Sequence, residues 1–518
     1  MTRFGAWIGR SVVAAAAAWG LVSGSPSSAD IDVWKTAASG VWGTGGSWVD
    51  GTTPSSIFDQ ANINLAGTYT VSFSADPDPI GALTVNSAAN VTFASNSRPP
   101  SPIVPRTLRL VDTSGGGDLS VRGRATLTLG HMTGGFPSSH PFHLTAGGEL
   151  TVEFFSTLNV LFGSDVVTSI LRNRGTTNVS GSGSTLNAGS TNITGDSVIN
   201  VSGSGSTFNA GSMIFEIGGG DLTVTAGGRV ESSASVMRQG GAIHVSGSGS
   251  TLIGGSMLID GGNLKVTAGG RVESSAVDLG FSEGSGGGAF VSGVGSTWAI
   301  IDQELVVSGS GTGELNIMAG GAVSSRGGVI GGFDHGVGVV NVSDAGSQWN
   351  NSGNLFVGDR ASGLLTVTGG GSVSSTDGYI GQGLGSVGTA LITGGAWTMT
   401  GQLSVGGSGS TAGGQGTLNI QPAGTVSAAQ GVVLFPDAHV NLQGGTLDAS
   451  AISYHQGIQG SQFQWTSGTL HVGTFNGNLV NSSGTLAPGH SAGNTTINGN
   501  YTQQSGGALE IEIGGPLA

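Results

Sequence analysis

Over most of this chain apolar and polar residues alternate in short stretches, and glycine-rich turns separate one stretch from the next. Leu222 and Val224 alternate with Thr223 and Thr225, Gly227-Gly228 interrupts them, and Val230 resumes the pattern. A period of two predicts a strand with one buried face. The stretches also repeat. VSGSGST begins at Val179, Val201 and Val245, VSGVGST at Val291 and VSDAGSQW at Val342. Between them lie LTVTAGGRVESS from Leu222, LKVTAGGRVESS from Leu264, LNIMAGGAVSS from Leu315 and LTVTGGGSVSS from Leu365, with LNIQPAGTVSA from Leu418 after the last. From 179 to 365 successive phrases start 19 to 27 residues apart. Self-similarity at that period marks a solenoid whose units bury their apolar faces only against their neighbours.

Helix is the poor alternative, because Gly is 100 of 518 residues and costs roughly 1 kcal/mol against Ala inside a helix. Each unit of about 22 residues holds two or three strands of about five residues, one coil of a β-helix. The predicted fold is all-β: a right-handed parallel β-helix (β-solenoid) of about 20 coils, roughly 100 Å long, with an N-terminal cap. The handedness follows from the general preference for right-handed crossovers. Like residues at one coil position should stack into ladders, Asn187 on Asn209 for example. Arg229-Val230-Glu231 and Arg271-Val272-Glu273 recur at one position. They read either as a charged binding strip or as exposed pairs within single strands.

Along the chain, residues 1–29 read as a secretory signal, with Arg3 and Arg10, an apolar run over 11–22 and the small residues Ser27-Ser28-Ala29 at the cleavage site. Residues 30–93 form a Trp-rich segment. Trp34, Trp42 and Trp48 there are either a cap that covers the open end of the solenoid or a platform on which sugar rings stack. Residues 94–118, with Pro99, Pro100, Pro102 and Pro105, read as a loop and entry segment. Irregular coils follow over 119–178, regular repeats over 179–449 and further coils over 450–518, where the pattern asks for another strand pair beyond Ala518.

Composition narrows the function. Thirty acidic against sixteen basic residues give a formal charge of −14, and the only lysines are Lys35 and Lys265, so there is no basic stripe for nucleic acid or anionic lipid. No stretch after the signal is long and apolar enough to span a membrane as a helix. With no cysteine there is neither a disulfide framework nor a thiolate metal site, and the nine histidines show no ligand spacing, so no metal or cofactor is expected. Two stretches fit G-x-S-x-G: Gly489-His490-Ser491-Ala492-Gly493, with no later His or Asp, and Gly280-Phe281-Ser282-Glu283-Gly284, with Asp302 and His335 downstream. The motif works only on a strand-to-helix turn, and no alternating helices are predicted. The acidic pairs Asp302/Glu304 and Glu510/Glu512 are what a β-helix hydrolase or lyase could use, and both read more simply as solvent-facing. The turn Asp76-Pro77-Asp78 reads as a solvated loop.

Once the phrases are aligned, LFVGDRASGLLTVTGGGSVSSTDGYIGQGLGSVGTALITGGAW (residues 355–397) and residues 315–349 resemble the passenger repeats of bacterial autotransporter-type surface proteins. The similarity covers about residues 119–447. It implies an exported structural, display or adhesive protein at the cell surface or outside the cell, with the periplasm as a further location, and with no catalytic residues to carry over. Such proteins end in an outer-membrane barrel or a short sorting tail, and this sequence shows neither pattern. The alternative is a carbohydrate-active β-helix that binds or cleaves a polysaccharide along one face. Extracellular polysaccharide or other cell-surface components are the expected partners.

Overall fold

The structure, a computed structural model, describes residues 30–511 except 87, 96–105, 112–116, 133–138, 141, 217, 239, 458–461 and 490–492. The expected signal segment, the four prolines, Ser491 and Glu512 lie outside the described residues. Within them the chain is a parallel β-solenoid with three faces, and 47 of its strands form one continuous sheet. Face A climbs from Ile31–Val33 through Gln60–Ile63 and Ala82–Val85 to Thr496–Ile497, in 20 rungs. Face B begins at Gly40–Val41. Face C begins at Arg106–Leu110, inside the stretch expected to be a loop. There Leu108 and Leu110 alternate inward and are fully buried, which makes the segment a strand.

The repeated phrases all occupy one place in the coil. Val201 of the first phrase is in register with Val224 of the second on face B, and Thr207 with Arg229 on face C. The phrases differ in the turn between, which has four residues in Gly203-Ser204-Gly205-Ser206 and three in Ala226-Gly227-Gly228. The two turn types interlock. Ser250 is fully buried in a four-residue turn, donates to Ser246 O at 2.7 Å and accepts from Gly227 N of the preceding three-residue turn at 3.1 Å. Ser296 does the same for Gly269 N at 3.1 Å, and Ser347 accepts from Gly320 N at 3.0 Å. Where the phrases alternate, each buried serine thus joins a four-residue turn to a three-residue turn in the coil before; the two successive VSGSGST turns meet instead through Ser206 Oγ, which donates to Gly181 O at 2.8 Å.

A second alternation fills the core. On face C the inward row reads Val272, Trp298, Val323, Trp349, Val373, Trp397, Val426, each in register with the next. Each indole N–H donates to a serine of the preceding coil: Trp298 to Ser274 at 3.1 Å, Trp349 to Ser325 at 3.1 Å and Trp397 to Ser375 at 3.2 Å. A large ring over a small side chain keeps the cross-section constant, and the serine satisfies the one polar atom of the ring. Room is made on face A as well, where a Cβ on Gly328 would stand 2.5 Å from Trp349 Cζ2.

The ladders form. Asn209 donates to Asn187 at 2.5 Å, and on face B Asn200 donates to Asn178 and Asn178 to Asn159, both at 2.8 Å. Arg229 and Arg271 each bond the glutamate two residues on in their own strand, with exposed side chains, and Thr251 lies between them in the ladder. They are separate same-strand pairs and not a joined strip.

Ser250→Ala should remove a buried acceptor from Gly227 N and a donor from Ser246 O. The expected cost is about 1–3 kcal/mol, read as a lowered denaturation midpoint; an unchanged midpoint would show that the turns do not interlock through this hydroxyl.

Candidate functional site

In a solenoid the surface available to a partner is the outward half of each strand, and the three faces differ sharply. Face B presents a polar row: Thr128, Asn159, Asn178, Asn200, Thr223, His244, Lys265, Phe290, Asn316, Asn341, Thr366. Face C is similar, with Asn187, Asn209, Glu231, Ile253 and Glu273 in sequence. Face A does the opposite over ten coils. Its outward row runs Ile214, Val236, Leu258, Asp278, Val306, Val329, Phe356, Tyr379, Ser404, Val433, of which Val329 and Ser404 are buried at 8 % and 3 % exposure. Phe356 and Tyr379 stack with centroids 4.8 Å apart and planes 16° apart. At one rung per about 4.8 Å the stripe is roughly 45 Å long.

The sequence did not single out this stripe, although it carries a signal. Leu305-Val306-Val307, Leu355-Phe356-Val357 and Val432-Val433-Leu434 are unbroken apolar triplets, where a strand with one wet face should alternate. Asp278 is the one carboxylate in the stripe. Burial, with a smaller contribution from the nearby Asp260 carboxylate, pushes Asp278 up to about 6.

Beside the stripe an open pocket of about 720 Å³ is lined by Arg238, Asp260, Phe281, Ser282, Glu283 and Ser285, among others. Asp260, 8 % exposed, accepts from Ser282 N at 2.9 Å, Ser282 Oγ at 2.5 Å and Ser285 Oγ. Burial alone would raise Asp260, but these donors hold it below the ordinary carboxylate value. Ser282 lies on a corner turn between faces A and B, not on a strand-to-helix elbow, and its hydroxyl proton is directed at a carboxylate. Such a serine is a structural donor, as in a side-chain-closed turn. Asp302 and Glu304 sit exposed in and after a bend that precedes the strand Leu305–Val307. Glu510 is exposed and its backbone N bonds Leu486 O. Asp76 accepts from Thr107 N at 2.9 Å and so ties its turn to face C.

Trp34, Trp42 and Trp48 are brought together, and inward. They are 1 %, 2 % and 0 % exposed; Trp48 meets Trp34 and Trp42 edge-on at 5.1 and 5.0 Å and donates to Trp42 O at 2.9 Å. Trp42 continues into Phe73 at 5.2 Å, and Phe73 into Phe142 at 4.7 Å. Rings spent on one another offer no face to a sugar, and their packing is that of a cap on the first coil. Among the described residues no helix is long and apolar enough to cross a membrane.

Comparison with protein-family models and with curated proteins gives no match. Among solved structures the chain is similar to a hyper-glycosylated TibA fragment whose glycosylation was catalysed by TibC. The identity is 18%, over 76% of this chain and 98% of that one, with a TM-score of 0.38.

Asp278→Asn tests the electrostatics of the stripe. An acid raised in the folded state binds its proton more tightly there, so stability falls as pH climbs from about 4 to about 6 and stays low above. The asparagine variant should melt higher than the parent at pH 8 and no higher at pH 4; the reverse order would refute the assignment.

Proposed function

We propose that this protein is an exported β-solenoid of the cell surface or extracellular space, acting as a structural, display or adhesive element. The observation that carries this reading is the outward row of face A, apolar at eight of ten successive coils on a rod whose other faces are mainly polar. An apolar stripe rimmed by polar residues marks a contact surface. Held on a rigid ladder, it is suited to binding an extended partner along its length, and an acidic, cysteine-free chain with a signal-like start suits work outside the cell. Polysaccharide is the first partner class to test, because Phe356 and Tyr379, half-buried where the three tryptophans are fully buried, leave ring surface open among polar neighbours such as Asp377 and Gln402.

The test is a glycan and cell-surface retention screen on the purified chain, scored for both retention and release of shortened products. Retention without release, reduced at least tenfold by Val306→Asp with Phe356→Asp and unchanged by Asn341→Asp on face B, is the expected result. Release of shortened products that survives repurification would replace the reading with a carbohydrate-cleaving one, and retention indifferent to the face A pair would move the contact surface elsewhere.

A further inference from the structure

On three successive coils near the start of the rod, the turn from face A to face B is built around arginine and phenylalanine. The turns are Arg122-Gly123-Arg124-Ala125, Glu153-Phe154-Phe155-Ser156 and Arg174-Gly175, stacked by the strands on either side of them. All three arginines are exposed, as are Phe154 at 52 % and Phe155 at 80 %. The Arg124 guanidinium stands over the Phe155 ring, 5.4 Å from its centroid. Phe154 leans the other way, across the short Arg174-Gly175 turn, until its Cε1 lies 3.3 Å from where a Cβ on Gly195 would stand. Rings and guanidinium groups together make one ridge along the edge of the rod.

Phe155 is held there at a cost. Its φ of +61° lies in the left-handed region, where a bulky side chain crowds its own backbone. Neighbouring turns reach that region with Gly123 at +65° and Gly195 at +63°. A glycine at 155 would relieve the strain, and a ring so exposed contributes little packing, so stability does not account for the phenylalanine. The charge is as unusual as the rings. Residues 106–174 hold six of the sixteen basic side chains against five of the thirty acidic ones, a local excess of one positive charge in a chain of formal charge −14. Glu149 meets Arg172 at 2.6 Å and Glu153 meets Arg174 at 4.0 Å, whereas among the described residues neither Arg122 nor Arg124 forms an ion pair.

We infer that this edge binds an acidic polysaccharide, its carboxylates on the arginines and a sugar ring stacked on Phe155. The turns of Arg124 and Arg174 are two rungs apart, about 10 Å. A pyranose is about one rung long, so a chain laid along the edge would set charged sugars on the outer turns and the sugar between them on the rings. The guanidinium fork offers a carboxylate two parallel N–H donors, and the acidic remainder of the rod repels the same polymer, which confines it to this edge. A bilayer is the poorer fit, since the rings lie along the edge among the guanidinium groups and do not stand beyond them. The inference does not rest on the face A stripe, whose apolar row begins further along the rod at Ile214.

Polygalacturonate is the probe, with neutral dextran and phosphatidylglycerol vesicles as comparisons, on the purified chain. The chain should retain polygalacturonate and not dextran, and added salt should weaken that retention. Phe155→Gly should lower the affinity at least tenfold while its melting midpoint stays level or rises, a combination that a merely structural phenylalanine would not give. Arg124→Ser should lower the affinity as far. The face A pair Val306→Asp with Phe356→Asp should leave it unchanged, which keeps a failure at this edge distinct from a failure at face A. No retention of polygalacturonate, equal retention of dextran, indifference to both edge variants, loss in Arg124→Ser alone, or binding to the vesicles in place of the polymer would overturn the assignment. So would a Phe155→Gly protein that melts lower, because the ring would then be holding the fold.

Discussion

Each coil of this rod is held by the coil next to it, through side chains that must match in size and in hydrogen-bonding sense across one rung spacing. The parallel ladder supplies the spacing, but the ladder alone would tolerate any order of coils. Specificity comes from the buried serines and tryptophans. Ser250 and Ser296 accept from a glycine amide that only a three-residue turn presents, and Trp298, Trp349 and Trp397 need both a small residue and a serine in the coil before. From the Val272 coil to the Val373 coil, core and turn therefore share one two-coil rhythm. Stability in such an array is a sum of neighbour terms, so a local mismatch weakens one joint without dissolving the rest.

Much of this was legible because the repeated phrases fall where the constraints are strictest, on face B, the following turn and face C. Strand period, coil length, the Asn187 to Asn209 ladder and the same-strand Arg and Glu pairs all follow from those phrases. Face A lies outside them and varies in length and composition. Its outward row escaped notice because Leu355-Phe356-Val357 is apolar on both sides, and a short apolar run does not reveal which half is wet. The strand Arg106–Leu110 was hidden by the prolines before it.

Parity was the other limit. In Ile31-Asp32-Val33-Trp34 the natural reading turns Ile31 and Val33 inward, whereas a single large ring reverses the choice and carries Asp32 with it. The tryptophans were recognisable as a cluster, and whether their faces were spent inside or offered outside depended on contacts with Phe73, Phe93 and Tyr69 that are remote in sequence.

The alternation of tryptophan and valine rows bears on how such a rod can change its length. Between Val272 and Val426 the insertion or loss of one coil would set ring against ring or leave two small rows facing, and would strand an indole N–H without its serine. A pair of coils can be duplicated or deleted with every joint preserved. In this part of the molecule heritable growth and shrinkage proceed most easily by twos, and the unit that descends is the pair.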